Sequence, residues 1–402
     1  MNNEDDNVPY SGPDPGASFD VWTVRSRLSE SEKEHAREAA RRASVDPFVE
    51  EELSPLPPAL KAATYGKPMM ASKNKIFEEP GFEGLCTSIN NAGNTIIVGG
   101  RNGHLLVVDA RTCATMSTIN LSKELTAAAK NQAAGVALLP PSCTAVRFMP
   151  TSTGTKQAIA IASQGPHVFH VHVSTGKVIS SIHEKGNEVN NLVIRSDGGA
   201  FATCGSDRVL RLYDERTSQL TCTLDHGDGV NTAGHSNDVF GLAWNPQDPN
   251  VLISAGWDHT VQVWDVRLQR SVRSIYGPYI CGDALDIKDN RILAGSWRHA
   301  SPLELWDLGS CKLITKLPFF QPEQDACMPY AAKFGRGQLD SFIMAGGSGG
   351  LPSVKVFTQV GELVGTMQAT SSIHSIDSVG SKEEQFVAIC CAKELRVLQI
   401  NK

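Results

Sequence analysis

Residues 234–267 read GHSNDVFGLAWNPQDPNVLISAGWDHTVQVWDVR. A Gly-His pair opens this stretch, a Trp-Asp pair stands near its end, and three strand-like apolar runs lie between them. Short apolar runs separated by Asn, Pro, Gly and Asp predict consecutive β-strands joined by turns.

On these residues the stretch resembles a WD repeat, the unit of a β-propeller. The resemblance places His235 in the loop entering a blade, Ser254 on the second strand, Asp258 in the next turn and Trp264 on the third strand. It also implies a buried structural tetrad of these four. The chemistry is consistent, because a carboxylate accepts from an imidazole N–H and a hydroxyl relays to an indole N–H, so each buried polar group has a partner.

One such unit cannot bury its own faces, so further copies are required. Six weaker ones emerge when third strands are aligned: HLLVVDAR from His104, HVFHVHVS from His167, VLRLYDER from Val209, PLELWDLG from Pro302, SVKVFTQV from Ser353 and ELRVLQIN from Glu394. Most intervals lie near the roughly 40 to 45 residues of such blades. The expected fold is therefore all-β, a seven-bladed WD-repeat β-propeller over residues 72–402. Blades two, six and seven lack much of the tetrad and are expected to rely on apolar packing. Because the sequence ends directly after the third strand of blade seven, Ser72–Glu79 (SKNKIFEE) is expected to supply the missing strand and close the ring.

Residues 1–71 differ in kind. They begin acidic and end in the Pro-rich ELSPLPPAL, a composition that predicts a disordered arm. Ser29 and Glu32 form a capping box that starts one short helix over about 30–43, with Glu38 placed to meet Arg42. Arg41, Arg42 and Ser44 resemble the acceptor site of basophilic kinases, making Ser44 a candidate phosphosite. Asp46-Pro47-Phe48 resembles adaptor-binding DPF peptides, and Phe19, Val21 and Trp22 are the arm's aromatic cluster. Between blades one and two, Ser122–Gly135 has the Ser start, Ala-rich body and Gly end of a short inserted helix.

The 402 residues carry a net charge of −6, and 41% are hydrophobic, enough for a large core. Without a long apolar run or signal peptide, an intracellular setting, cytoplasmic or nuclear, is expected, with no membrane insertion. Ten cysteines without a CxxC pair read as reduced packing residues.

Catalytic motifs are absent from recognisable contexts. GGSGG at 346–350 matches G-x-S-x-G but sits between blade strands rather than at a strand-to-helix turn. His167 faces away from His170 and His172 on one strand, so the trio cannot converge on a metal. We expect no enzyme activity, no cofactor and no metal. The near charge balance of residues 81–402 argues against nucleic acid as a partner.

Recognition of proteins or peptides remains. The ring's loops favour it, and Trp257, Trp297, Arg298 and Arg101 fall at one end of the channel as a candidate partner-binding rim, because Trp and Arg dominate interface hot spots. The segments Tyr276–Tyr279 and Phe319–Phe320 are expected beside it. The main expectation is a non-catalytic scaffold of a multiprotein complex. The alternative rests on LISAGWDHTVQVWDVR, 252–267, which resembles the box of cullin–RING ligase substrate receptors, where Arg267 of the WDVR run would touch the ligase adaptor.

Overall fold

The computed structural model describes residues 67–68, 73–121, 123, 141–150, 159–230, 232–319, 327–380 and 384–401. These residues form seven sheets set around a ring, each a blade of a β-propeller built on four antiparallel strands. Blade four is built of Val239–Trp244, Val251–Gly256, Thr260–Asp265 and Arg270–Tyr276, running from the central channel outward. Its middle strands are almost wholly buried because neighbouring blades cover both faces, while its outer strand alternates with solvent. That sandwiching explains why the middle strands read as continuous apolar runs, IIVGG and LISAG among them.

The first strands of successive blades touch around the whole circle, and Ile373–Gly380 of blade seven packs on Gly84–Ile89 of blade one. There the Asp377 carboxylate accepts the Ile89 N–H at 2.9 Å. Closure uses the N-terminal strand as expected: Lys73–Ile76 pairs antiparallel with Glu394–Asn401, Lys73 opposite Val397 and Ile76 opposite Glu394. Within the expected arm, Lys67–Pro68 also pairs, parallel to Gly365 and Thr366 on the outer strand of blade six. The helix at 30–43, Ser44, the 46–48 and 19–22 motifs, and all of the 122–135 insertion but Lys123 lie outside the described residues.

A bulge recurs at the start of the innermost strand in six blades. There one residue is skipped in the ladder to the second strand: Leu85, Thr144, Asn190, Phe240, Tyr330 and His374. A bulged residue is turned out of the sheet and re-aimed, here at one end of the channel. We call this end the upper rim.

Purely apolar packing is not what blades six and seven use, whereas blade two keeps buried Phe169 at the corresponding position. In blade six Lys355 is 1% exposed, its ammonium bonded to the Phe319 carbonyl and lying over the Phe319 ring. Phe319 is thus buried instead of lining the rim. In blade seven Arg396 bonds Glu394 and the Gln368 carbonyl. Long polar side chains at the same third-strand position replace the tetrad's role of joining strand to loop.

Candidate functional site

Blade four holds its expected residues in a single hydrogen-bonded file. Trp264 Nε1–H, which can only donate, bonds Ser254 Oγ at 2.7 Å. His235 Nε2 lies 2.6 Å from the same hydroxyl, and His235 Nδ1 lies 2.7 Å from Asp258 Oδ2. The direction is set by the ends of the file: Ser254 accepts from the indole and donates to Nε2, so Nδ1 carries the proton that reaches the carboxylate. Asp258 also accepts from Ser236 N, Thr260 N and Thr260 Oγ1. Burial pushes the Asp258 carboxyl up, but His235 and these donors outweigh it and leave it below the usual range.

Blade three performs the same task with other residues. Buried Glu184 accepts from Thr203 Oγ1 at 2.6 Å, from Tyr213 OH at 3.0 Å and from Asn187 Nδ2 at 2.6 Å. Thr203 and Tyr213 occupy the Ser254 and Trp264 positions of the ladder.

On the upper rim the structure gathers aromatic rings into an arc over blades four to seven. Phe240 lies 4.8 Å from Trp257, which stacks at 6.5 Å on Tyr279. His259, at φ 60° in the tight turn between second and third strands, stacks on Tyr279 at 4.7 Å. Trp297 donates its backbone N–H to the Tyr279 carbonyl at 2.8 Å, and its ring meets Tyr330 edge-on at 6.0 Å. Tyr330 then meets His374 at 5.4 Å, and His374 Nδ1–H donates to the Gly84 carbonyl of blade one at 2.7 Å. Burial lowers the pKa of both His259 and His374, so the arc carries neutral imidazoles at neutral pH.

Both tryptophans expected on the rim are in this arc, whereas the two arginines have inward tasks. Arg298 bonds the Gly277 carbonyl at 2.9 Å and Glu304 at 2.6 Å, clasping the loop that carries Tyr276 and Tyr279. Arg101 pairs with Glu83 at 3.0 Å in blade one. The arc is therefore aromatic in character, with Arg298 holding the loop of Tyr276 and Tyr279 and Arg101 outside it in blade one. Phe240, Tyr330 and His374 escaped the sequence reading. Their one signal is local: each precedes a small residue, Gly241, Ala331 or Ser375, at the start of an apolar run.

Beneath the arc the channel is crossed by a polar node on Asp283. Arg147 of blade two reaches both its oxygens, at 3.0 and 3.1 Å, and Lys333 of blade six lies 2.7 Å away. Asn191 and Ser375, from blades three and seven, complete it at 3.4 and 3.2 Å. Burial would raise this carboxyl, yet Arg147 and Lys333 hold it far below the usual range. Tyr330 sits close above, its phenol pushed up by burial and by its neighbours Cys281 and Asp283.

Arg267 lies at the opposite end of the ring, exposed, its guanidinium bidentate on Asp265 at 3.1 and 2.8 Å. Ser348 of the GGSGG run ends a strand, Phe342–Ser348. His167 lies 3.2 Å from His183, on the neighbouring strand of its own blade. Among the described residues no three metal-ligating side chains cluster, and no helix is long and apolar enough to cross a membrane.

Comparison with known proteins agrees with this geometry. The family model described as WD domain, G-beta repeat matches residues 176–214 and 223–265, which end in the third strands of blades three and four. WD repeat-containing protein 1 of Bos taurus is 30% identical over 94 residues, 23% of this chain and 14% of that protein. The ribosome biogenesis protein WDR12 homolog of Drosophila virilis is 29% identical over 119 residues, 28% of this chain and 27% of the relative. Ribosome biogenesis protein YTM1 of Lodderomyces elongisporus is 38% identical over 77 residues, 19% and 15% of the two chains. The matches thus span about a quarter or less of these relatives' length. Seven blades, the hydrogen-bonded file of blade four and the matched repeats together make this chain a β-propeller that carries WD repeats in blades three and four.

Proposed function

We propose that this protein is a non-catalytic interaction scaffold that binds partner proteins on the aromatic arc of its upper rim and holds them in a multiprotein complex. The observation that carries this reading is the arc itself: rings from four consecutive blades present a partly exposed surface on a rigid base. Large, stiff aromatic side chains contribute contact area at low entropic cost, which is the character of an interface hot spot. Relatives named for ribosome biogenesis fit a role within a large assembly, and an intracellular location, cytoplasmic or nuclear, goes with it.

Affinity purification of the full chain with quantitative mass spectrometry tests the reading, run beside a Trp257→Ala/Trp297→Ala double variant. A defined partner set that disappears in the double variant supports the rim. A set that persists in that variant, while its melting profile stays that of the wild type, overturns it. The ligase-receptor alternative rests on the likeness of residues 252–267 to the receptor box, with Arg267 as the adaptor contact, and Arg267 is bonded to Asp265 within its own blade. An Arg267→Ala preparation in the same experiment decides it, through loss or absence of a cullin and its adaptor.

A further inference from the structure

We infer that His167 and His183 form a two-histidine site for a divalent transition-metal ion of the zinc class, at the outer edge of blade two. The site is separate from the aromatic arc, to which blade two contributes no ring, and goes beyond the interaction reading above.

The two strands bring the pair together. His167 opens the third strand of blade two, His167–His172, and His183 closes its outer strand, Lys177–His183. The antiparallel register sets them directly opposite each other, and it is unbroken from Ser180 to His183 because the bulge lies earlier, after Val178. Opposite residues share a face of the sheet with Cβ atoms about 4.5–5.5 Å apart. Just past the pair, the Glu184 N–H donates to the Pro166 carbonyl at 2.8 Å and pins the two strand ends together.

The ring geometry suits one shared ion. His183 Nδ1 lies 3.2 Å from His167 Nε2, and two imidazole nitrogens on a tetrahedral ion at about 2.05 Å stand about 3.3 Å apart. At the same nitrogen spacing, a straight N–H···N bond would hold the ring centroids about 5.5 Å apart. They are 4.5 Å apart with planes crossing at 70°, so at least one ring is turned off that line. A modest rotation about the Cβ–Cγ bonds brings both lone pairs onto one ion. His167 also stacks at 5.8 Å on Phe169, which is 1% exposed and limits that ring's freedom.

The donor set selects the class of ion. Paired imidazoles suit zinc, nickel and copper, whereas magnesium and calcium require oxygen ligands. Burial, and next the neighbouring His183, lower the His167 pKa, which favours the neutral imidazole that binds metal. His183 is exposed and His167 half-buried, so an ion has access from solvent and water completes its coordination. Lys185, in the following turn, is exposed, where water screens its charge. Two protein ligands are fewer than the three or four of catalytic and structural zinc sites, so binding is expected to be moderate and reversible.

The test is isothermal titration of the full chain with zinc chloride in a buffer free of competing ligands. The wild type is expected to take up an ion with a Kd on the order of 10 μM. His183→Ala and His167→Asn should each weaken it about tenfold or more, whereas His172→Ala, on the other face of the same strand, should leave it unchanged. Magnesium chloride should neither bind nor compete. X-ray absorption of the wild type loaded with one equivalent of zinc gives a reading that needs no variant, with paired imidazole nitrogens expected at about 2.0 Å. A spectrum without paired imidazoles overturns the inference. So does failure of zinc to bind, a titration that neither histidine variant alters, or displacement of zinc by equimolar magnesium.

Discussion

Asp258 and Asp283 are two buried carboxylates twenty-five residues apart in sequence, and the protein neutralises them by opposite routes. Asp258 is served from within its own blade: one imidazole, two backbone N–H groups and a threonine hydroxyl, all between residues 235 and 260. Asp283 is served from across the ring, by Arg147, Asn191, Lys333 and Ser375 of four other blades. The first circuit fastens a loop to its blade. The second fastens blades two, three, six and seven to blade five, and lies under the rings of the arc. Local polar circuits thus make each blade, while a non-local one sets the shape of the mouth on which recognition depends.

The strongest way to break this comparison is Asp283→Ala. It leaves two cations facing each other in a partly desolvated channel and should lower the unfolding free energy by about 3–5 kcal/mol. A urea midpoint close to that of the wild type would mean that water or ions replace the carboxylate at no cost. pH gives a second reading of the same group. Its folded pKa lies far below the unfolded value of about 3.9, so its contribution is complete above that value and is lost as pH falls toward the folded pKa. Between pH 5 and 3 the wild type should lose more stability than Asp283→Asn, and parallel curves would remove the node from the account.

His235→Ala should cost less, about 2–3 kcal/mol, because it strands a carboxylate that keeps three other donors and a hydroxyl that keeps the indole. If the two circuits are separate, as their lack of a shared partner implies, the double variant should match the sum of the single effects within about 0.5 kcal/mol. A larger coupling in equilibrium denaturation would mean that blade four and the channel melt as one unit.

The same contrast explains what was legible in the sequence. Strand order and the His235–Trp264 file were readable because each lies within one blade length of about 40 to 45 residues, and blade count because that length repeats. Ring closure was readable only as a strand-like run at 72–79, since its partner, with Lys73 opposite Val397, stands at the other end of the sequence. Glu184 escaped because an acid took the place of a histidine, keeping the circuit while changing the letters. Lys355 and Arg396 escaped because nothing in their strands, SVKVFT and ELRVLQIN, marks the bonds they make to carbonyls of neighbouring segments. The Asp283 node had no local signature at all: its partners stand 136, 92, 50 and 92 residues away. The arc was half legible. Trp257 and Trp297 sit in turns that repeat alignment locates, whereas Phe240, Tyr330 and His374 owe their direction to a one-residue slip that alignment of strands does not register.

The smallest expected effect sharpens the comparison most, because it keeps the chemistry and changes only the surroundings. Arg267 grips Asp265 with a bidentate geometry at 3.1 and 2.8 Å, as good as that of Arg147 on Asp283. Arg147 and Asp283 are mostly shielded from water, whereas the Arg267 side chain is 67% exposed. In water the guanidinium and carboxylate exchange one set of good partners for another, and ordering a long side chain offsets what the pairing contributes. Arg267→Ala should therefore leave the denaturation midpoint unchanged within error, at low and high salt alike. If it destabilises the ring as much as Arg147→Ala in the same measurement, then geometry rather than burial governs these pairs, and the argument for the channel node loses its physical basis.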